Sequence, residues 1–195
     1  MDIILASASP RRKQLLSMIY SDFRVMPADI RELVPRDLDV DKCPEYLANE
    51  KAGLISQGRQ KSLVIGCDTA VICDGKMLNK PRDTNDARIM MNMLSGAVHR
   101  VITGCALYYM GKSFTFSVST DVEFYELSEQ EIEAYISTAE PYDKAGGYGI
   151  QAKGALFVKG INGDYYNVVG MPVSKLKRAI DDFLSSDEIK ELENK

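Results

Sequence analysis

The sequence predicts a mixed α/β domain in which helices flank one sheet of parallel and antiparallel strands. Apolar, β-branched runs alternate with segments of helical periodicity, a pattern typical of this class. Turn signals between strand-like segments predict antiparallel pairs at Asp74-Gly75, Gly111-Lys112 and Asn162-Gly163. The 195 residues are 45% hydrophobic, which is enough for a substantial core. We expect one domain over residues 1–184, which could comprise two lobes, and a charged, frayed or solvated tail over residues 185–195.

Composition and charge exclude several classes of protein. The net charge of −4 argues against non-specific nucleic-acid binding, which needs a basic surface. The four cysteines form no C-x-x-C pair, so neither a disulfide scaffold nor a zinc ribbon is expected. No signal peptide or long apolar run is visible, and we therefore expect a reduced, cytoplasmic protein that does not associate with membranes. The one histidine, His99, begins an apolar run and is interpreted as structural rather than as part of a catalytic triad.

The first predicted helix begins with two adjacent arginines. Residues 2–6 predict a short buried strand, and the Ser-Pro pair at positions 9–10 is typical of a helix N-cap followed by the first helical residue. Arg11 and Arg12 then lie in the first turn, where each cation is unfavourable by about 0.3–1 kcal/mol. Two interpretations fit. One is a phosphate-binding turn that small residues such as Ser7 leave open to an anion, and the other is a pair of solvated surface arginines.

The helix predicted over residues 43–59 carries a lysine on its apolar face. Lys51 lies three or four residues from Leu47, Leu54 and Ile55, so it belongs to the apolar stripe. Its ammonium could extend along the helix to solvent, or it could point into a cleft.

The strand predicted over residues 62–73 contains a carboxylate, Asp68, within an apolar run. An ionised carboxylate there needs a cation, a metal ion or several donors, and a purely structural ion pair would also satisfy it. The hairpin at Asp74-Gly75 returns Lys80 toward this strand. A two-residue loop would place Lys80 opposite Thr69, whereas a three-residue loop would place it diagonal to Asp68 on the same face.

The remaining elements are predicted from turn, capping and periodicity signals. They are, in chain order, a helix over residues 83–96, strands over residues 100–110 and 113–125, a helix over residues 129–138 after the capping box at 128–131, a Gly-rich loop over residues 143–154, a hairpin over residues 155–169 and a helix from Pro172. Glu32, in the segment "ADIREL", supplies another carboxylate, and together with Asp68, the two lysines and the two arginines it could surround Mg²⁺ and a polyphosphate.

Several motifs together resemble the Maf-like family of nucleoside triphosphate pyrophosphatases. They are "LASASPRR", "GCDTAVICDGKMLNKP", "MLSGAVHRVITG", "LSEQEIEAYI" and "EPYDKAGGYGIQAKGALFVKGINGDYYNVVGMP", and the resemblance runs from residue 3 to about residue 184. It implies an elongated mixed α/β fold with a central cleft, similar to that of the inosine triphosphate pyrophosphatases. It also implies hydrolysis of a nucleoside triphosphate to the monophosphate and pyrophosphate with a divalent metal, Mg²⁺ or Mn²⁺, in the cytoplasm. Members of the family are often homodimers.

The resemblance also implies roles for individual residues. The position of Asp68 is that of the family's proton acceptor, and the cleft is lined by the positions of Ser7, Arg12, Glu32, Lys51 and Lys80. Three positions distinguish the subfamilies, and Arg11, Thr69 and Gln151 are similar to the branch that acts on dTTP and UTP. A Gln amide can accept from N3–H and donate to a carbonyl of uracil or thymine, although a flipped amide would also match cytosine.

The implied mechanism leaves the role of Asp68 open. Glu32 and Asp68 are the candidate metal ligands, and Asp68 is either the general base or the group that orients a metal-bound water. An ordinary aspartate, with a pKa of about 3.9, is a weak base, and nearby lysines are expected to lower the pKa of Asp68 further. The alternatives to a dTTP/UTP pyrophosphatase are a pyrophosphatase for modified or non-standard nucleotides and a nucleotide-sensing regulator of cell division.

Overall fold

The computed structural model describes residues 1–193 and contains a mixed sheet with flanking helices, which confirms the predicted α/β class. Seven strands lie in these residues: β1 (Asp2–Leu5), β2 (Arg24–Val25), β3 (Ser62–Cys73), β4 (Lys76–Leu78), β5 (Val98–Tyr109), β6 (Lys112–Phe124) and β7 (Val158–Asn162). Their order in the sheet is β2-β1-β3-β5-β6-β7, and β4 pairs with β3.

The α-helices of the described residues begin largely where capping residues predict. They are α1 (Pro10–Leu16), α2 (Cys43–Ser56), α3 (Thr84–Leu94), α4 (Glu129–Ile136), α5 (Tyr165–Val169), α6 (Val173–Ser185) and α7 (Asp187–Glu193). The Ser9 hydroxyl accepts the backbone N–H of Arg12 at the start of α1, and Ser128 with Glu131 forms the predicted capping box of α4. Short 3₁₀ helices occupy Val40–Lys42, Pro141–Asp143, Ala145–Gly147 and Lys153–Phe157.

The sheet register settles the geometry of the first hairpin. β1 runs parallel to β2 and β3, whereas the β3–β4 and β6–β7 pairs are antiparallel. Cys73 lies opposite Lys76, so the loop has two residues, Asp74 and Gly75. Both have positive φ (49° and 71°), as a type I′ turn requires. Of the two loop lengths considered for this hairpin, two residues is therefore correct, and the register is the one expected to place Lys80 opposite Thr69.

The chain divides into two compact units, and strands β3, β5 and β6 contribute residues to both. The first unit comprises Met1–Asp68, Thr103–Val118 and the chain from Gly170 onward, and the second comprises Thr69–Ile102 and Ser119–Val169. Each has its own apolar cluster. In the first unit the buried members are Ile4, Ala6, Ala48, Ala52, Ile55, Val64 and Ala106. In the second unit the largest members include Met91, Leu94, Phe124, Tyr135, Ile136, Tyr148 and Phe157.

His99 belongs to the core of the second unit. Its Nε2 lies 2.7 Å from the Tyr148 hydroxyl, and its ring packs edge-on against Phe124. Burial lowers the pKa of His99 to about 4, so the imidazole is neutral near pH 7. The structural interpretation of His99 is confirmed. All four cysteines are free and buried, as expected for a chain without a disulfide framework.

The hairpin predicted over residues 155–169 is wrong in its second half. In its first half, residues 155–157 end a 3₁₀ helix and Val158–Asn162 forms β7, but the chain beyond Gly163 forms the short helix α5. The Asp164 carboxylate accepts the backbone N–H of Tyr166 (2.8 Å) and of Asn167 (3.3 Å), which is how an N-cap residue starts a helix. The Asn-Gly signal therefore marks the end of a strand, and the aspartate after it starts a helix in place of a second strand.

The tail is predicted to be frayed or solvated. Its charged side chains within the described residues are exposed to solvent, but it is not frayed, because residues 187–193 form α7. Its apolar anchor, Ile189, is fully buried, and the Tyr109 hydroxyl donates to the Glu193 carboxylate (2.9 Å). Lys112 pairs with Glu188 at 2.9 Å. The last two residues of the predicted tail, 194 and 195, lie outside the described residues. Within residues 1–193, no helix has the length and apolar character needed to cross a membrane.

Candidate active site

A partly buried ion-pair network joins three of the predicted residues in the first unit. The Lys51 Nζ on α2 lies 2.5 Å from Asp68 Oδ1 at the end of the first-unit part of β3, and 2.6 Å from Glu32 Oε1. The side chains of Lys51 and Asp68 are only 12% and 15% exposed, whereas that of Glu32 is 58% exposed. Lys51 thus directs its charge at two carboxylates rather than along the helix to open solvent.

Two glycines let α2 lie close enough to the sheet for this network to form. A Cβ added to Gly66 would be 2.4 Å from the carbonyl oxygen of Ala48, and one added to Gly104 would be 2.3 Å from the backbone nitrogen of Glu45. The backbone of the helix therefore packs directly on the strands with no side chain between them. Because residues two apart share a strand face, Asp68 lies on the same face as Gly66, toward the helix that carries Lys51.

Burial controls the charge state of Asp68. Loss of water raises the pKa of Asp68 above its ordinary value, and the negative charge of Glu32 adds to this rise. The charges of Lys51 and Arg12 pull the pKa down but do not outweigh the burial. Lys51 lowers the pKa of Asp68 as expected, but the net shift is upward because the loss of water outweighs it. A carboxylate with a raised pKa is a stronger base than an ordinary aspartate.

Arg12 is held in place by two hydrogen bonds within the first unit. Its Nε donates to the carbonyl of Gly170 (3.0 Å), and its Nη1 donates to the hydroxyl of Ser7 (3.3 Å). Ser7 is buried, and Arg12 and Arg11 are half-buried. The interpretation of Arg12 as a solvated surface side chain is therefore wrong. Because its charge favours ionised Asp68, the guanidinium also acts electrostatically on the ion-pair network.

The other three predicted residues belong to the second unit. Thr69 begins that unit on β3 and is half-buried, and Lys80 is exposed two residues beyond the end of β4. Gln151 is exposed on the loop between the 3₁₀ helices Ala145–Gly147 and Lys153–Phe157. Within the first unit, the structure thus brings Ser7 close to Arg12, and it brings Glu32 and Asp68 close to Lys51. Thr69, Lys80 and Gln151 lie in the second unit.

Two carboxylates of the network converge on one cation. Within residues 1–193, there is no group of three or more His, Cys, Asp or Glu side chains that could hold a metal ion. Glu32 and Asp68 nevertheless reach one common cation, the Lys51 ammonium. Mg²⁺ typically takes one or two carboxylates and completes its shell with water and substrate phosphates. The two carboxylates therefore fit a divalent metal of this kind.

Sequence reasoning missed the backbone positions that build this site. Gly66 and Gly104 interrupt buried strands, and glycine in a strand interior often marks a close approach of another backbone. Ala48 and Ala52, small residues one turn apart on α2, are the matching signal on the helix. The acceptor role of Gly170 has no sequence signal, because any residue can offer its carbonyl oxygen.

The chain is similar to several known proteins over nearly its whole length. The dTTP/UTP pyrophosphatase of Bacillus pumilus (strain SAFR-032) is 44% identical over 181 residues, which cover 93% of this chain and 96% of that protein. The dTTP/UTP pyrophosphatase of Bacillus cytotoxicus is 45% identical over 180 residues, with coverage of 92% and 94%. A solved HAM1 protein from Coxiella burnetii shares the fold, with a TM-score of 0.53 at 11% identity over 93% of this chain and 99% of that one. The family model described as Maf-like protein matches residues 2–183, and the chain therefore belongs to the Maf-like family.

Proposed function

We propose that this protein is a nucleoside triphosphate pyrophosphatase that hydrolyses dTTP and UTP to the monophosphate and pyrophosphate. The observation that carries the proposal is the network of Lys51, Asp68 and Glu32, in which an exposed and a partly buried carboxylate share one ammonium. The names of the similar proteins support the choice of dTTP and UTP. The four buried, free cysteines suit the cytoplasm as the site of this activity, because none of them requires an oxidising compartment.

In the proposed reaction, water attacks the α-phosphorus and pyrophosphate leaves. Asp68 accepts the proton of the attacking water, and its partly buried place beside Lys51 holds the carboxylate in position for this role. Lys51 and Arg12 stabilise the negative charge that develops on the phosphate oxygens, and Arg12 is positioned in advance by Gly170 and Ser7. Lys80 supplies a further cation for the phosphates. Positioning and electrostatics account for most of the catalysis, as in other phosphoryl transfers.

Glu32 and Asp68 would hold the divalent metal, Mg²⁺ or Mn²⁺. When bound, the metal neutralises phosphate charge and lowers the pKa of a coordinated water. The Glu32 side chain is 58% exposed and lies outside the helices and strands, so it is open to an arriving metal–nucleotide complex. Asp68, on β3, keeps its place because the strand and α2 hold it.

Gln151 would recognise the base, with Arg11 and Thr69 shaping the surroundings. Its amide can pair with the N3–H donor and an adjacent carbonyl of uracil or thymine. These two bases present the same polar edge and differ by a methyl group away from it, so one amide serves both dTTP and UTP.

The proposal is tested with purified protein, Mg²⁺ and a panel of dTTP, UTP, CTP, GTP and ATP, with release of pyrophosphate and monophosphate as the readout. We expect the largest kcat/KM for dTTP and UTP. Asp68→Asn keeps the side-chain shape and removes the base, so turnover should be lost while nucleotide binding largely remains. Nucleotide binding without pyrophosphate release by the parent protein would contradict the enzyme and favour a nucleotide sensor.

Gln151→Glu tests the choice of base. An acceptor-only carboxylate would face the carbonyl oxygens of uracil and thymine, and a mispaired polar contact costs about 1–3 kcal/mol. We expect kcat/KM for dTTP and UTP to fall by roughly tenfold to a hundredfold. Unchanged values for both substrates would show that Gln151 does not recognise the base.

A further inference from the structure

The loop that carries Gln151 is tightly closed although it is rich in glycine. The backbone N–H of Ala152 donates to the carbonyl of Gly149 (3.3 Å). A Cβ added to Gly154 would lie 2.9 Å from the carbonyl oxygen and 3.0 Å from the nitrogen of Gly149. The two ends of the segment 149–154 therefore touch, and the exposed Gln151 side chain projects from a small ring of backbone.

One carboxylate, that of Glu140, holds this segment closed. Its Oε2 accepts the backbone N–H of Lys153 (3.1 Å), and its Oε1 accepts the backbone N–H of Gly154 (3.1 Å). Both amides follow Gln151 within three residues. Oε1 also lies 3.6 Å from the place where a Cβ on Gly149 would stand, so the same carboxylate lies against the start of the segment. Hydrogen bonds from two backbone amides to an ionised carboxylate are stronger than neutral ones.

Glu140 is itself held by its surroundings. The hydroxyl of Tyr135, a buried residue on α4, donates to Oε1 (3.1 Å), and burial raises the pKa of Tyr135 so that this hydroxyl remains a donor. The Lys144 Nζ donates to the backbone carbonyl of Glu140 (2.8 Å), and the Lys144 stem lies where a Cβ on Gly149 would fall. The Glu140 carboxylate is therefore fixed in position, and it holds the segment 149–154 through the two backbone hydrogen bonds.

We propose that Glu140 is a positioning residue for base selection, because its carboxylate clamps the segment 149–154 and thereby fixes the backbone from which Gln151 reaches the base. The proposal rests on the proposed function, in which Gln151 pairs with uracil or thymine. On a loosened loop the Gln151 amide no longer stays at the distance and in the plane that pairing with uracil or thymine needs, so the part of the preference for dTTP that comes from this pair is lost. Glu140 would thus support the choice of base without any contact with the nucleotide.

The test compares kcat/KM for dTTP with kcat/KM for CTP in the parent and in Glu140→Gln. In the variant, an amide NH₂ replaces one carboxylate oxygen and meets a backbone N–H, so one of the two clamping bonds is lost. We expect the dTTP/CTP ratio to fall by about tenfold. Partial unfolding would lower both rates equally and leave the ratio unchanged, so the ratio separates positioning from mere stability.

Glu133→Gln is the matched control. It removes a partly exposed carboxylate of the same unit that pairs with Arg88 and has no hydrogen bond to the segment 149–154 among those described, and it should keep the parental ratio. If Glu140→Gln does not fold, Tyr135→Phe takes its place, because it removes a donor to Oε1 and should lower the ratio by a smaller factor. A parent without dTTP or UTP turnover would overturn the proposed function. An active parent with the same ratio in the clamp variant would overturn only the role of Glu140.

Discussion

Replacing Gly66 by alanine tests whether the closeness of α2 to the sheet sets the geometry of the site. The new Cβ would lie 2.4 Å from the Ala48 carbonyl oxygen and 2.9 Å from the Ala52 Cβ, both on α2. An ordinary contact begins at 3.4 Å, so the backbones must separate by about 1 Å. Neither neighbour is a flexible side-chain end, and the helix itself has to move.

The effect on stability and on activity should differ in size. Overpacking of a tight interior costs about 1–3 kcal/mol, and each kcal/mol lowers the melting temperature of a domain of this size by about 2–4 °C. Activity should suffer more, because Lys51 moves with the helix while Asp68, two residues after Gly66, stays with the strand. A misplacement of about 1 Å can reduce a rate about a hundredfold.

The assay pairs thermal unfolding, followed by circular dichroism, with kcat/KM for dTTP. Gly160→Ala is the control, since no atom of the described residues lies within 4 Å of its added Cβ and its φ is not in the left-handed region. That variant should match the parent or be slightly more stable. A Gly66→Ala protein with parental melting temperature and parental kcat/KM would refute the idea that direct backbone packing positions Lys51.

Two further predictions concern charged and titratable groups. Saturating dTTP, at 100 times its Kd, should stabilise the parent by about 2.7 kcal/mol. Arg12→Ala should lose most of this stabilisation, and it should also lose about 1 kcal/mol of ligand-free stability because its bond to Gly170 is removed. Lys13→Ala, on the exposed side of α1, is the control and should keep both the ligand-free stability and the stabilisation by dTTP in the same melting assay. The second concerns His99, whose folded pKa of about 4 lies below its ordinary value of 6.5, so only the unfolded chain takes a proton as pH falls from 6.5 to 4. The free energy of unfolding should therefore decline by about 3 kcal/mol as pH falls through this window. Measured by urea unfolding, it should depend less on pH in the double variant His99→Phe, Tyr148→Phe than in Tyr148→Phe alone. Parallel pH curves for the two variants would contradict this role of His99.

Local signals predicted most elements of the fold because those signals act over a few residues. Ser9 caps α1, the capping box starts α4 and the Asp74-Gly75 turn has the positive φ values that its sequence favours. The Asn162-Gly163 signal failed because two outcomes compete at such a turn. The capping bonds of Asp164 and the hydrogen bonds between its backbone and Thr120 favour a helix there.

Sequence reasoning found the residues of the ion-pair network but not the balance of its electrostatics. Asp68 and Lys51 stand out because each places a charge in an apolar pattern, and that pattern is visible in one sequence. Their separation depends on how closely α2 approaches β3, which the glycines decide in three dimensions. The direction of the pKa shift of Asp68 depends on the balance between lost water and two nearby cations, and sequence spacing does not give that balance.

The division of the chain has a consequence for the order of folding. The first unit is assembled from three separated stretches, and the bond from Arg12 to Gly170 spans 158 positions. Contacts of such long range form slowly, and during synthesis they must wait until residue 170 and its successors have been made. The stretches of the second unit end at Val169, so that unit is complete earlier in translation. Until the stretch from Gly170 onward has been synthesised, the apolar strand β1 lacks part of the unit to which it belongs. The surroundings of Arg12 are therefore among the last parts of the protein to form.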